Sequence, residues 1–407
     1  MKALILTIFL SILLCQSSTS SMIGLGAHIR NSDASSLGLG GGTLFSTHSD
    51  GFTLSSPSSL WKTQTTRLAV TSSFNQNTND TGAQDESQII GRLSFTFPIK
   101  ETQAVSFGLR PLTRTSYHIR TSLEQAEHIS YNGEVFAPLF YYHGSGGISR
   151  FFVSYSRKID EKFSLGVTLN SDFGNLFSAD SVFTYAVTTN SETGETSYAL
   201  SDLTSSKTTR NISGNSIYFE GNYSNGVDQI ILGTEFQGSL HIKTESLSPV
   251  SGSNKTETEN ISVQLTSLAG GYRHNFNEFM SGAFELYYRK PFESNYEQFG
   301  LNIDDQLSFH CGLVRNFMNQ KIGRWDNFNL SLGMYRTQSA TSIGDINDFG
   351  LTLGLGLEYF NNKNMVDIVL TAGKRNSPFD ELTNEKYVNL TIGVSTGETW
   401  FIKRRGK

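Results

Sequence analysis

Residues 349–359 read Phe349-Gly350-Leu351-Thr352-Leu353-Gly354-Leu355-Gly356-Leu357-Glu358-Tyr359, and their alternation is strict. Phe349, Leu351, Leu353, Leu355, Leu357 and Tyr359 share one face of an extended chain, while Gly350, Thr352, Gly354, Gly356 and Glu358 share the other. The segment has the length of a tilted strand crossing a bilayer, about 9–11 residues. Aromatics at both ends with leucines between them fit a lipid-facing stripe between two interfacial girdles. Strands of soluble sandwiches also alternate but average only about half this length. The pattern recurs in series. Val388, Leu390, Ile392 and Val394 alternate with Asn389, Thr391, Gly393 and Ser395, and Leu93, Phe95 and Phe97 with Ser94 and Thr96. Phe328, Leu330, Leu332 and Met334 alternate with Asn329, Ser331, Gly333 and Tyr335, and Val366, Ile368 and Leu370 with Asp367, Val369 and Thr371.

The pattern predicts an all-β fold, a transmembrane antiparallel up-and-down barrel of about fourteen strands. They are expected near 65–76, 87–98, 103–121, 127–158, 162–180, 206–224, 226–245, 257–275, 278–291, 300–317, 325–338, 346–361, 364–377 and 384–396. Connections alternate between mostly short turns, such as Asn225-Gly226, and mostly longer polar stretches, such as 181–205 and 246–256. Short periplasmic turns opposite long extracellular loops are the bacterial barrel signature. An even strand count leaves both termini in the periplasm. The stretch 121–158 is long enough to contain an extra small hairpin.

The N-terminus agrees with that address. Met1-Lys2, an apolar run from Ala3 to Leu14, and the small residues Ser17 to Ser21 read as a secretory signal peptide over 1–21. Cys15 raises a lipoprotein alternative, opposed by Leu14 where such signals carry a small residue. After cleavage only Cys311 remains, so no intramolecular disulfide forms, and no Cys/His spacing suggests a metal. No later segment has eighteen consecutive apolar residues. The 407 residues are 17% charged and rich in glycine (38), phenylalanine (29) and tyrosine (16), with only 7 prolines, a β-forming composition. A net charge of −5 with no basic stripe argues against a nucleic-acid partner.

Three stretches carry a resemblance. The first is the glycine run Leu37-Gly38-Leu39-Gly40-Gly41-Gly42 followed by Ser56-Pro57-Ser58-Ser59-Leu60; the second is Phe107-Gly108-Leu109-Arg110-Pro111 followed by Gly144 to Arg150; the third is Leu390 to Arg405. In order and spacing the chain resembles a divergent member of the long-chain fatty acid transporter (FadL-like) outer-membrane family. Members commonly carry Asn-Pro-Ala and an apolar residue after the glycine run; here Pro57 and Leu60 match, while Ser56 and Ser58 replace Asn and Ala. The resemblance implies a barrel over 65–396, an N-terminal hatch over 22–64 and a periplasmic tail over 397–407. It also implies entry of hydrophobic molecules from outside and, in the best-understood members, sideways exit beside a kinked third strand.

The residues permit that design on their own. A tail of some forty residues ahead of the first strand is unusually long unless it folds inside something. Gly38, Gly40, Gly41, Gly42 and Pro57 are the expected hatch-packing residues. Gly350, Gly354, Gly356 and Gly393 on inward faces either let a hatch approach or ease barrel curvature. Pro111 lacks the N–H of a ladder residue and a barrel offers it no edge, so Gly108 and Pro111 mark an expected kink, either a lateral gate or a bulge at the rim. Parity turns Arg110 inward, to hold a substrate carboxylate or to pair with a lumenal acid or the hatch.

No nucleophile elbow, HExxH or paired metal motif occurs, so neither an enzyme nor a cofactor is expected. His118, His128, His143, His241, His274 and His310 read as surface or lumenal residues. The leading expectation is passive transport of hydrophobic small molecules, fatty-acid-like or aromatic, with outer-membrane lipid around the barrel and the barrel-assembly machinery as partner during biogenesis. A general porin and a binding or assembly barrel associated with secretion are the alternatives.

Overall fold

A computed structural model describes residues 21, 25–29, 33–79, 84–121, 126, 128–189, 195–247, 254–261, 264–290, 303–317, 325–341, 344–359, 364–376 and 384–398. The expected signal peptide, apart from Ser21, and the tail beyond Glu398 lie outside them. In chain order the strands are β1 (Ala27–His28), β2 (Thr66–Asn79), β3 (Gln84–Lys100), β4 (Gln103–Arg120), β5 (Ile129–Tyr131), β6 (Glu134–Lys158), β7 (Phe163–Thr189), β8 (Thr196–Ser224) and β9 (Asp228–Leu247). They continue with β10 (Asn254–Ile261), β11 (Gln264–Asn275), β12 (Met280–Arg289), β13 (Ile303–Phe317), β14 (Trp325–Thr341), β15 (Gly344–Tyr359), β16 (Asn364–Asn376) and β17 (Glu385–Glu398).

Fourteen of these strands form the wall, each antiparallel to its neighbours. β17 closes the circle on β2, from Glu385↔Asn79 to Glu398↔Thr66. The three others are short additions. β5 makes a small hairpin with the start of β6, inside the long stretch 121–158. β10 extends β11 along the upper part of β9, and β1 lies on β4. One correction concerns 181–205, expected as a loop. β7 and β8 stay paired through most of it, up to Thr189↔Thr196. β-forming Val182, Phe183, Tyr185, Leu200 and Leu203 continue the ladder, which rises past the bilayer as a tall hairpin.

The wall is inverted relative to a soluble protein. Leu332, Leu353, Phe349, Leu370, Val388 and Leu390 are exposed on the outside, as a lipid belt requires. Inward positions are polar and buried, among them Ser94, Thr96, Ser106, Glu220, Glu285, Thr352 and Glu358. What buries them is the N-terminal segment 33–65, which carries a one-turn helix (Ala34–Leu37) and a 3-10 helix (Pro57–Lys62). Asp33 caps the first helix through Ser35 N (3.2 Å) and reaches across to Thr53 Oγ1 (2.6 Å) and Leu54 N (2.8 Å), tying the segment to itself. Phe45, Leu39, Leu44 and Leu60 are almost fully buried against the wall.

Candidate functional site

At its middle the glycine run packs where the wall has no side chains. Gly40 takes φ +82°, a left-handed conformation that favours glycine, and a Cβ there would stand 2.7 Å from Cys311 O. Its N–H donates to Thr352 Oγ1 (3.0 Å), and its carbonyl lies 2.6 Å from His310 Nδ1. Opposite it, wall residues Gly312 and Gly333 lie directly under Leu39 and Gly40. Gly38 rests on Ser331, Gly41 faces His310 and Tyr335, Gly42 abuts the Glu285 carboxylate, and Pro57 sits on Gly166 of β7. Of the inward glycines singled out in the sequence, Gly354 and Gly393 meet Gly38 and Ala34, whereas Gly350 and Gly356 meet the wall side chains Tyr335 and Asn329.

Three carboxylate clasps hold the segment. Glu285 accepts from the N–H groups of Thr43 (2.8 Å), Leu44 (3.1 Å) and Phe45 (3.3 Å), and from Tyr287 OH. Glu220 accepts from Ser58 N (3.0 Å), Ser58 Oγ (2.6 Å), Ser56 Oγ and Tyr218 OH (2.9 Å). His48 lies between Glu358 (Nδ1 to Oε1, 2.9 Å) and Asp367 (Nε2 to Oδ1, 3.0 Å). Both ring nitrogens face acceptors, as an imidazolium requires.

Burial alone would depress the His48 pKa, but Asp367 and then Glu358 outweigh it and hold the group well above 6.5. Asp33 and Arg67 also act on these two carboxylates. A raised folded-state pKa means that the contribution is fully present below about 6.5 and lost as pH rises through the raised value. Protease access to residues 33–65 should therefore increase at alkaline pH in the wild type, and His48→Gln should flatten that profile. An identical profile in both proteins would remove His48 as the titrating group.

The second feature is a seam. β3 and β4 pair from Lys100↔Gln103 only as far as Leu93↔Leu109, two residues before Pro111. Beyond that point β3 stays on β2, and β4 stays on β6, but among the described residues the two share no further pair. On the β6 side the register shifts between Pro111↔Ser149 and Thr113↔Ile148, leaving Leu112 as an extra residue. The bulge reverses parity: Ser106 faces in before it, Thr115 and Tyr117 after it. Gly108 makes the tight approach to Ser94 just below. The vacated edge of β4 is taken by β1, with Ala27↔Arg114 and His28↔Thr113, and by Ile29 N–H donating to Leu112 O (2.9 Å). Leu25 inserts among Leu112, Ile148, Leu176, Ile212, Leu240 and Ile242.

Inside the seam lies a cavity of about 150 Å³ between the N-terminal segment and the wall. Arg110 lines it together with Arg92, Arg150, Arg289, Glu235 and Tyr287. Arg150 is held by Asp172 (2.6 Å) and Glu235 (2.5 Å), while Arg92 donates to Leu54 O (2.6 Å) and covers the Phe152 ring. Four arginines against one lining carboxylate leave the cavity cationic. Sequence reasoning singled out Arg110 and missed the other three, as well as His48, Glu220 and Glu285. A signal existed: a charge in mid-alternation, as in Phe284-Glu285-Leu286 or Phe219-Glu220-Gly221, marks an inward position that needs a partner.

A family model described as BamG matches residues 1–267 and 327–406. No curated protein sequence matches the chain. Among solved structures, the CymD monoaromatic hydrocarbon channel is 14% identical with a TM-score of 0.54, covering 93% of this chain and 100% of that one. A Pseudomonas aeruginosa FadL homologue is 11% identical with a TM-score of 0.56, covering 91% and 98%. The Ralstonia pickettii toluene transporter TbuX is 12% identical with a TM-score of 0.51, covering 89% and 97%. These likenesses establish the fold, a FadL-like outer-membrane β-barrel.

Proposed function

Because the chain belongs to the BamG family and has the fold of FadL-like channels, we propose that it is a passive outer-membrane transporter of hydrophobic small molecules. Residues 22–64 act as its hatch, and the gap between β3 and β4 as its lateral exit. The observation that carries this reading is the end of β3–β4 pairing at Leu93↔Leu109, beside Arg110 and the internal cavity. Every backbone group facing lipid must be bonded within the wall. A ladder that stops short is therefore tolerable only where protein or water covers it, and there an apolar molecule could leave without crossing the polar rim. The cavity's arginines favour a fatty-acid-like substrate over a plain hydrocarbon. A carboxylate would make charge-assisted hydrogen bonds to Arg110 or Arg289, which a hydrocarbon would bury unpaired.

Replacing Pro111 with Val, a good strand former that restores an N–H, is expected to extend β3–β4 pairing and narrow the exit. Uptake of a fluorescent fatty acid by whole cells should fall several-fold while surface level and heat-modifiable migration stay normal. Undiminished uptake would defeat the lateral exit.

One observation favours a second reading, a barrel that works with the barrel-assembly machinery. Besides the family's name, the β7–β8 hairpin rises far beyond the lipid belt, with Asn215, Ser213, Asn211, Thr209 and Lys207 in succession on one face of β8. Replacing residues 178–208 with a tight turn at the Ser178↔Thr208 pair should leave uptake intact. If it instead removed a crosslinked partner and impaired the assembly of other barrels, the assembly reading would replace transport.

A further inference from the structure

Inside the barrel, near its extracellular end, cations have acids: Arg375 bonds Asp348 (3.1 Å) and Glu385 (3.4 Å). On the opposite, lipid-facing side of the same strands the arrangement is different. One cross-strand row runs Arg336↔Phe349↔Lys374↔Lys386 over β14, β15, β16 and β17. All four side chains are exposed. Among the described residues neither Arg336, Lys374 nor Lys386 has an acid in hydrogen-bond reach. Lys374 and Lys386 even stand directly opposite each other, a like-charge pairing that works against the ladder. Elsewhere on the outer face Lys243 is paired with Glu245 at 2.7 Å. The nearest outward acid on β15 is Asp345, two side-chain rows above Phe349, roughly 13 Å along the strand, and it accepts from Gln338 (2.6 Å).

The height of the row gives it meaning. Immediately below each member is the top of the apolar belt: Met334, Leu351, Ala372 and Val388. Short turns such as Asn225–Val227 mark the other end of the barrel as periplasmic, so this row lies at the outer-leaflet boundary. The three cations span three inter-strand steps, about 14 Å, with the Phe349 ring between Arg336 and Lys374. The next row down is wholly leucine: Leu332, Leu353, Leu370 and Leu390. We infer that strands β14–β17 form a binding site for the phosphorylated glycolipid of the outer leaflet, the phosphates of its lipid A headgroup meeting Arg336, Lys374 and Lys386 and its acyl chains lying on the belt below. Charge complementarity selects this occupant, since unopposed cations at the membrane surface attract anionic headgroups. An adjacent bilayer supplies the acyl-chain contact that a soluble anion lacks.

The test uses the full-length purified protein and bis-phosphorylated lipid A, with native mass spectrometry and a titration in mild detergent. Each cation near a membrane surface contributes about a five-fold gain in binding, so the combined Arg336→Gln, Lys374→Gln, Lys386→Gln variant should bind roughly 100-fold more weakly and Lys374→Gln alone about five-fold. Dephosphorylated lipid A should bind the wild type poorly, and raised salt should weaken the intact lipid. Heat-modifiable migration checks that each variant folds. Equal binding by the wild type and the triple variant would overturn the site. Displacement by inorganic phosphate alone would reassign it to a soluble anion, and equal binding of phosphatidylglycerol vesicles would make it a general anionic surface; both overturn the glycolipid assignment.

Discussion

Deletion of residues 22–64 is expected to turn a closed protein into an ion-conducting pore in planar bilayers. A fourteen-stranded wall encloses more space than its own inward side chains fill. Here those side chains are largely small and polar, with Ser94, Thr96, Ser106 and Ser331 among them. The bulk that occupies the lumen comes from Phe45, Leu39, Leu44, Phe52 and Leu60 of the N-terminal segment, all buried. Removing the segment replaces its contacts by water, which the serines, threonines and carboxylates of the wall accept readily. The barrel itself should survive, because the fourteen wall strands from β2 round to β17 close on one another without the segment, and only the short β1 is lost from the edge of β4. The expected readout is stepwise current from the deletion protein, none from the full chain, and unchanged heat-modifiable migration. Equal current from both proteins would remove the hatch from the proposal.

Glu285→Ala should loosen the same segment without deleting it. The Glu285 carboxylate is buried and accepts three successive backbone N–H groups, those of Thr43, Leu44 and Phe45. Alanine leaves the Leu44 and Phe45 N–H groups without their acceptor, whereas the Thr43 N–H keeps Tyr287 OH (2.8 Å). At roughly 1–3 kcal/mol for each of these two unsatisfied groups, the loss is about 2–6 kcal/mol. That corresponds to a shift of roughly 30-fold to 10⁴-fold in the ratio of seated to unseated segment. Limited proteolysis should then cut within residues 33–65 under conditions that leave the wild type whole, and brief channel openings should appear. Glu285→Gln is the informative control. It keeps an oxygen acceptor in place and should lie between alanine and wild type. If glutamine and alanine behaved alike and both resembled the wild type, the clasp would not hold the segment.

The wall was legible because a barrel strand answers to two solvents at once. Lipid outside and a polar lumen inside impose a period of two. In Phe349 to Tyr359 nothing competes with that period, so the strand, its length and both its faces follow from the residues. The same logic placed Arg110 inward and put a defect at Pro111, since a missing N–H is a local property of the residue. The tall β7–β8 hairpin was less legible. Above the belt both faces meet water, the alternation fades into Ser, Thr and Asn, and a paired strand there reads like a loop.

What the sequence could not supply were meetings between residues far apart in the chain. That Glu285 clasps Thr43, that His48 lies between Glu358 and Asp367, and that Gly312 and Gly333 leave room for Leu39 and Gly40 depend on closure of the circle. Closure sets the curvature and stagger, and so decides which inward positions of fourteen strands face the same point. The extent of the seam was decided in the same way. Pro111 marks where the ladder weakens, but which edge is vacated depends on where β3 and β4 part company and on the N-terminal residues that settle against β4. The cationic row of Arg336, Lys374 and Lys386 shows the division most simply. Each is an ordinary outward residue in its own strand, and only the register between four strands brings them to one height at the membrane surface.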